Sequence, residues 1–307
     1  MSAAATRPSV RSRPSRRHRH RWLLLAGLPV LLAACATSPA SSTRADHHGQ
    51  AAGSTERSKP PAPTTAGKSA KWALSWGADF GRPGAMDKWL YYSGGNGFNL
   101  KQLQWYDASN ASVDRSGQLV ITASRGANGR RCWYGPCQYT SARMETKNTF
   151  SQAYGEFEAR IKLPPGEGLW PAFWLEGDDV YQVGWPACGE IDVVEPDSKN
   201  PYLLQAYAHA PRFDHKADLT LPEAMTAGFH TYSVVWTPKG ITWYFDGYPY
   251  SHMSAYKGWP FDKRFFIILD LAVGGGYPGP PDASTPFPAK MVVDWVRVYR
   301  RVAVKNA

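Results

Sequence analysis

Three carboxylates fall within six residues of this chain, at Glu190, Asp192 and Glu195, with β-branched residues between them. Such a composition predicts a β-strand, in which successive side chains point to opposite faces, so Glu190 and Asp192 share a face. Glu195 would point the other way unless a β-bulge near Val193–Val194 inserts one extra residue. With that bulge, the pattern predicts three acids aimed at a single surface.

The spacing of the two glutamates suits one reaction in particular. With the bulge, their Cα atoms lie about 13 Å apart, and side chains that lean together would bring the carboxyl groups to roughly 5–6 Å. A retaining glycosidase needs a nucleophile and an acid/base about 5 Å apart. Asp192, between them, would raise their proton affinity by like-charge repulsion. For the acids taken alone, a cation site or a hydrated sheet face is an equal alternative.

Tryptophans precede the acids at Trp170, Trp174 and Trp185, each next to a proline or in a short aromatic run. Aromatic rings stack on the apolar faces of pyranose rings in half-hydrated clefts, which favours a sugar-binding surface. Burial in a hydrophobic core is the alternative for any one of them. Their concentration around an acid-rich strand favours the cleft.

The segments around these residues resemble glycoside hydrolase family 16, and within it the laminarinase-like endo-β-1,3-glucanases. The similarity covers nearly all of residues 75–300. It rests on Thr140–Arg143, Tyr154–Ile161, Gly168–Trp174, Trp185–Asp192, Phe229–Tyr232, Trp236–Pro238, Trp243–Gly247, Trp259–Asp262, Leu271–Gly275 and Val293–Tyr299.

This resemblance implies an all-β fold, a concanavalin A-like jelly roll of two curved antiparallel sheets with the active site on the concave face. It implies that Glu190 is the nucleophile, that Glu195 is the general acid and base, and that Asp192 tunes both. The residues it assigns to substrate binding are Trp170, Trp174, Trp185, Arg143, His209 and Asn99. A purely structural role for His209 is an equal alternative.

Alternating apolar runs bounded by Gly, Pro, Asn and Asp independently predict an antiparallel β-sandwich. The segment Leu221–Ala227 is predicted as one short helix. The predicted strands are Gln118–Ser124, Gly155–Leu163, Gly189–Glu195, Thr231–Trp236, Thr242–Phe245, Phe265–Ala272 and Met291–Arg300.

One departure from the family pattern concerns the cleft, and one correspondence with it concerns a metal. Asp270 stands where the family usually has asparagine, which leaves the substrate preference open. Some family members bind calcium through two acids that correspond to Asp79 and Asp294, so the resemblance implies a structural calcium site. Ordinary surface aspartates are the alternative, and the reaction itself requires no cofactor.

Charge is concentrated in the first part of the chain. Residues 1–69 carry 11 Lys and Arg and two acidic residues, whereas the remaining residues carry 24 Lys and Arg and 23 acidic residues. A nucleic-acid-binding protein would place its basic surface on the folded part. The distribution therefore excludes nucleic acid as a partner, and a polysaccharide substrate and a monomeric enzyme are expected.

The N-terminal residues predict export. A basic run and the 13-residue apolar run Trp22–Ala34 suit a signal peptide over residues 1–35, and Leu32–Cys35 resembles a lipobox that lipidates Cys35. The alternative is ordinary cleavage and release. Residues 36–70 lack the apolar content for a core and predict a disordered linker, followed by the catalytic domain over 71–307. The expected location is the cell surface, with membrane contact only through the lipid, or the medium.

Three further cysteines follow. Cys132 and Cys137 bracket a Gly-Pro loop, which predicts a disulfide in an exported protein, although half of a metal site is an alternative. Cys188 is expected to be a buried free thiol.

The sequence thus predicts a retaining endo-glycosidase acting on internal β-1,3-glucosidic bonds. The alternatives are action on another polysaccharide, such as mixed-linkage glucan or a galactan, transglycosylation, and a non-catalytic glucan-binding module.

Overall fold

The structure, a computed structural model, describes residues 71–302. The predicted signal peptide (1–35) with Cys35, the predicted linker (36–70) and the last five residues of the predicted catalytic domain lie outside the described residues. Within 71–302, no helix combines the length and apolar character needed to cross a bilayer.

The described part is built almost entirely of short strands. In chain order they are β1 (Lys71–Asp79), β2 (Leu90–Tyr91), β3 (Gln104–Tyr106), β4 (Ala111–Val113), β5 (Leu119–Arg125), β6 (Arg131–Cys132), β7 (Gly135–Pro136), β8 (Tyr139–Ser141), β9 (Arg143–Glu145), β10 (Gly155–Lys162), β11 (Leu169–Gly177), β12 (Glu190–Val194), β13 (Leu203–Ala210), β14 (Phe213–Thr220), β15 (His230–Thr237), β16 (Gly240–Phe245), β17 (Tyr248–Ser254), β18 (Phe265–Val273) and β19 (Ala289–Val302). The helical elements are α1 (Val180–Val183) and three 3-10 turns, Met86–Lys88, Gly97–Asn99 and Ala108–Asn110.

Two large sheets face each other, as predicted. A ten-stranded sheet runs in the order β17-β16-β15-β10-β19-β5-β8-β3, with β1 beside β19 and β4 beside β5. A seven-stranded sheet runs β14-β13-β12-β11-β18-β9-β2, and β6 and β7 form a separate hairpin. The pairing is antiparallel except between β3 and β8, which run parallel at one edge. The all-β jelly-roll prediction is therefore confirmed, with this one edge pair as an exception to purely antiparallel sheets.

The hydrophobic core fills the space between the sheets and forces the opposite faces outward. Phe157 and Val296 of the ten-stranded sheet and Phe173 and Leu269 of the seven-stranded sheet belong to one cluster of buried side chains. Because side chains alternate along a strand, the residues between these core positions point away from the core. In β11 this alternation places Leu175 in the core and the side chains on either side of it on the outer face.

All nine residues of β18 are buried, including those that alternate onto the outer face of the seven-stranded sheet. This strand lies in the interior of the sheet between β11 and β9. A strand buried on both faces means that the outer face here is covered by other side chains rather than open to water. It marks the floor of a cleft.

The predicted strands are all present, with ends that shift by one to a few residues. The predicted helix Leu221–Ala227 is wrong: the segment forms turns. The backbone N–H of Leu221 bonds to the carbonyl of Tyr202, and that of Met225 bonds to the carbonyl of Pro201. Since these groups are engaged by a distant segment, they cannot form the local ladder of a helix.

Candidate active site

The predicted β-bulge is present in β12. Glu190 pairs with Glu176 and Asp192 with Trp174 on β11, but the next pair is Phe173 with Val194, so Val193 is the extra residue. Val193 and Val194 are both buried in the core. Two consecutive inward residues return the following side chain, Glu195, to the outer face. The chain thus brings the three acids together on the outer face of the seven-stranded sheet.

Glu195 is held by its neighbours. The indole Nε1 of Trp170 donates to its Oε1 over 2.8 Å, and the Tyr277 hydroxyl donates to its backbone carbonyl over 3.1 Å. Burial raises the pKa of Glu195 to about 8, and the negative charge of Asp270 acts in the same direction, whereas the Trp170 hydrogen bond opposes it. A carboxyl group that keeps its proton at neutral pH can act as a general acid.

Glu190 stands at the start of β12 beside two further acids. Burial raises its pKa well above the usual range, and the nearby charges of Glu195 and Glu176 add to this effect. The nearby Trp185 side chain and the positive charge of Arg143 act in the opposite direction, because both stabilise the carboxylate form. Trp185 and Arg143 therefore favour a negative charge on Glu190, although burial remains the larger effect.

Asp192 lies between the two glutamates and is 1% exposed. Burial, followed by the charges of Glu195 and Glu190, raises its pKa well above the usual range. Its Oδ2 atom forms no hydrogen bond within residues 71–302, and the Nε2 atom of His209 lies 3.5 Å away. The other ring nitrogen of His209 is 2.7 Å from Asp214. His209 therefore lies in the cleft, beside the central acid.

The floor beside the acids contains a fourth carboxylate, Asp270. It accepts hydrogen bonds from Trp174 Nε1 over 2.8 Å and from the Tyr106 hydroxyl over 2.7 Å. Burial raises the pKa of Asp270, while Arg143 and these two donors lower it. The guanidinium of Arg143 stacks 4.7 Å from the Trp174 ring and 4.9 Å from the Phe98 ring. Trp174 is thus fixed from its edge and its face.

The three tryptophans predicted to bind sugar differ in their contacts and exposure. Trp170 is 7% exposed and Trp174 is half-buried, and both donate their indole N–H to cleft carboxylates. Trp185 is 58% exposed, with its ring centroid 5.9 Å from that of His209, so it is the one with an open face for a sugar ring. Asn99 ends a 3-10 turn, and its side chain lies outside the described residues.

The ligand atoms of Glu190, Asp192 and His209 all lie within 4.8 Å of one another, a spacing that a cation could accept. A cation there would occupy the carboxylates that a glycosidase reaction needs. What the arrangement can do without one is place two carboxyl groups with raised pKa values, Glu190 and Glu195, on the same face. A double displacement requires such a pair, one member as the nucleophile and the other as the general acid and base.

The residues predicted to hold calcium do not fit that ion well. Asp79 lies 3.4 Å from Arg82 and 3.7 Å from Arg297, and Asp294 lies 2.7 Å from Arg160. Calcium favours several oxygen ligands, and guanidinium groups that already neutralise both carboxylates would repel it. The calcium site stays a prediction, and these ion pairs argue against it.

The structure brings the sulfur atoms of Cys132 and Cys137 to disulfide distance, with Cα atoms 5.0 Å apart. The loop they bracket is the β6–β7 hairpin, and Trp133 at its tip donates from Nε1 to the Gln102 carbonyl. The hairpin therefore packs on the segment that leads into β3. Cys188 is free and buried, as expected.

Two cleft residues, Glu176 and Tyr277, are not among the site residues predicted from the sequence. Glu176 follows Trp174 by two positions in β11 and pairs with Glu190, so it lies on the acid-bearing face. The alternation of side chains along β11 could have predicted this position. Trp170, Trp174 and Glu176 are separated by even numbers of residues and therefore lie on the same face of the strand. Tyr277, by contrast, lies in a loop, where no periodic signal exists.

The fold and site define a carbohydrate-active enzyme of the jelly-roll class. The model of the family described as Glycosyl hydrolases family 16 matches residues 99–297. The chain belongs to this family.

Three relatives of this chain all have names that specify cleavage of β-glucans. A beta-glucanase of Rhodothermus marinus is 37% identical over 258 residues, which cover 76% of this chain and 87% of that protein. A glucan endo-1,3-beta-glucosidase of Cryptopygus antarcticus is 36% identical, over 68% of this chain and 83% of that protein. The solved structure of an endo-beta-1,3-glucanase from Pyrococcus furiosus is 39% identical with a TM-score of 0.71, over 76% of this chain and 96% of that one.

Proposed function

We propose that this chain is a retaining endo-glycosidase that hydrolyses internal β-1,3-glucosidic bonds of β-glucans. One observation carries the proposal: the bulge at Val193 places Glu190 and Glu195 on one face of the seven-stranded sheet, each with the donors its role needs. The relatives described above, whose names specify β-glucan or β-1,3-glucan cleavage, support the choice of substrate.

In the first step, Glu195 donates its proton to the glycosidic oxygen while the Glu190 carboxylate attacks the anomeric carbon. The bond between that carbon and the oxygen breaks, the leaving sugar departs with the proton, and a glycosyl-enzyme ester forms on Glu190. In the second step, the Glu195 carboxylate removes a proton from water, whose oxygen attacks the same carbon and releases Glu190. Each carboxyl group ends in its starting state.

The neighbours have supporting roles in this scheme. The Trp170 N–H fixes the Glu195 carboxyl group in orientation, since it bonds one of its two oxygens. Asp192, with His209 beside it, competes with the two glutamates for protons, because burial and the charges of Glu195 and Glu190 raise its pKa. The open face of Trp185 offers a stacking surface for a sugar ring at the rim of the cleft.

The test is hydrolysis of a defined panel: laminarin, curdlan, mixed-linkage glucan and a galactan, with mapping of the products. We expect oligosaccharides joined by β-1,3 bonds from laminarin and curdlan, and a fall in viscosity before the reducing ends accumulate, because cleavage is internal. Release from the galactan alone would reassign the substrate. Binding of laminarin without product, in a folded preparation, would favour the glucan-binding alternative.

We further propose that the enzyme is exported and anchored through a lipid on Cys35. The support is the sequence alone, in the basic run, the apolar run and the Leu32–Cys35 motif. Expressed in a bacterium that processes lipoproteins, the wild-type chain should partition into the detergent phase, and Cys35→Ser should move it to the aqueous phase. Equal partitioning of both would support release instead.

A further inference from the structure

Glu176 is an acid that the reaction scheme above leaves without a role. It is the last outward-facing residue of β11, and it pairs directly with Glu190 on one side and Phe266 on the other. Directly opposed residues of an antiparallel pair have Cβ atoms about 4.5–5.5 Å apart, and like charges at such positions are destabilising. The fold therefore keeps a second carboxylate against the nucleophile although this arrangement is unfavourable.

No ion pair in the described part of the chain relieves this repulsion. Within residues 71–302, Glu176 has no cation within 4.0 Å and its side chain forms no hydrogen bond; burial raises its pKa, and the charge of Arg143 only partly opposes this. Of the two cations on the neighbouring strand and loop, Arg143 lies 3.8 Å from Glu145. Lys147 donates to the Asp178 carbonyl over 2.9 Å and lies over the Phe266 and Tyr181 rings.

Arg143, across the floor from Glu176, has unused hydrogen-bonding capacity as well. Its side chain is 11% exposed and stacks between Phe98 and Trp174, and its Nε atom is buried without a partner among the described residues. A buried donor or acceptor left unpaired is unfavourable unless a ligand satisfies it. The floor beside the nucleophile thus holds an unpaired acceptor, Glu176, and an under-used donor, Arg143.

A sugar supplies what both groups lack. Its hydroxyls donate to a carboxylate and accept from a guanidinium, and hydrogen bonds to charged groups are the strong ones. We propose that Glu176 is a substrate-binding residue that accepts hydrogen bonds from hydroxyls of the sugar on the nucleophile's side of the cleaved bond, with Arg143 donating to the same part of the chain. The proposal rests on the proposed function, because it requires a glucan in this cleft.

Binding can be measured apart from turnover. In the Glu190→Gln background, laminaritetraose is titrated by calorimetry into that variant and into the Glu190→Gln/Glu176→Leu double variant. Loss of hydrogen bonds to a charged group should weaken binding about ten- to a hundredfold. Glu223→Gln, a change at an exposed glutamate after β14, is the matched control and should leave the dissociation constant unchanged.

Thermal stability separates binding from a structural role. If Glu176 serves the ligand, replacing a half-buried, unpaired carboxylate by leucine should raise the melting temperature while binding weakens. If it supports the fold, the melting temperature falls, and the proposal is overturned. An unchanged dissociation constant for laminaritetraose overturns it equally, whether or not the wild-type enzyme releases product from laminarin, which tests the proposed function separately.

The conservative variant Glu176→Gln gives a second readout in the active enzyme. Glutamine keeps an acceptor but removes the charge, so we expect KM to rise less than in Glu176→Leu. The acid limb of the pH profile should also move to lower pH, because Glu190 loses a like charge. The other groups that share the surroundings of Glu176 are Arg143, Glu145, Lys147, Tyr181 and Cys188, and none of them is altered. An acid limb that stays fixed, with KM also unchanged, contradicts the proposal.

Discussion

The acids on the outer faces of the two sheets differ in their ion pairing and burial. On the ten-stranded sheet, Asp79 and Asp294 are each within ion-pair distance of arginine. On the seven-stranded sheet, Glu190, Asp192 and Glu195 form no ion pair with lysine or arginine within residues 71–302; the one partner is His209. The first set lies beside its cations, whereas burial raises the pKa of each acid in the second set. The comparison shows that burial, with no lysine or arginine paired to these acids among residues 71–302, gives them the raised pKa values that catalysis uses.

The largest difference between the faces should appear in activity. Glu190→Gln removes the nucleophile, so kcat on laminarin should fall by about 10³-fold or more, since no covalent intermediate can form. Asp294→Asn, the matched change on the other sheet, should leave kcat within about twofold and change stability by at most ~1 kcal/mol, the usual range for a half-exposed ion pair. Comparable losses in both variants would show that the acids on the two faces do not differ in function.

Glu195 can be tested for both halves of its role. Glu195→Gln should lower kcat on laminarin by about 10²–10⁴-fold, because neither the leaving oxygen nor the attacking water exchanges a proton with the side chain. With an activated aryl glycoside the first step needs no acid, and added azide, which needs no base, should restore turnover. The product would be a β-glycosyl azide, detected by mass spectrometry and NMR. Failure of azide to restore any turnover would contradict the assignment.

Asp270 tests whether charge in the cleft sets the working pH. Its negative charge raises the pKa of Glu195, which is about 8. Asp270→Asn should lower that pKa, and since the protonated form is the active acid, the basic limb of kcat/KM should move to lower pH. A moderate loss of kcat/KM, of about tenfold, should accompany it, as Tyr106 and Trp174 then share a weaker acceptor. A basic limb that stays fixed would show that Asp270 acts only through these hydrogen bonds.

The smallest expected effect concerns an acid of the ten-stranded sheet that has a raised pKa and no catalytic partner. Burial raises the pKa of Glu156 to about 7, and Glu158 adds to this. A folded-state pKa above the ordinary 4.5 contributes stability below pH 4.5 that is lost as the pH rises through 7. Glu156→Gln should therefore raise the melting temperature more at pH 8 than at pH 5, without changing activity. Equal shifts at both pH values would argue against a buried charge.

The acid-bearing strand could be predicted from sequence because its pattern is local. The alternation of β-branched residues with Glu190 and Asp192 predicts the strand, and the odd spacing of Glu195 predicts the bulge found at Val193. The same local rule would have placed Glu176 on the acid-bearing face, since it lies two residues after Trp174. Register across strands, however, decides that Glu176 opposes Glu190, and pairing between distant segments is not encoded in local periodicity.

Other features depend on contacts between segments distant in sequence. Trp170 and Trp174 were predicted to stack on sugar rings. Instead, Trp170 donates a hydrogen bond to Glu195 and Trp174 donates one to Asp270, so both hold carboxylates in place. Leu221 and Met225 are helix-compatible residues, but backbone bonds to Tyr202 and Pro201 hold their segment in turns. Intrinsic helix propensity predicts structure poorly where tertiary contacts compete with it.

The most direct test of the central claim, that Glu190 and Glu195 act from one face in a double displacement, is the configuration of the first product. Hydrolysis of a laminari-oligosaccharide is followed by proton NMR from the first minutes, before mutarotation mixes the anomers. The β-anomer of the new reducing end should appear first, and the α-anomer should follow by mutarotation. Initial appearance of the α-anomer would mean a single displacement by water, and would contradict the double displacement.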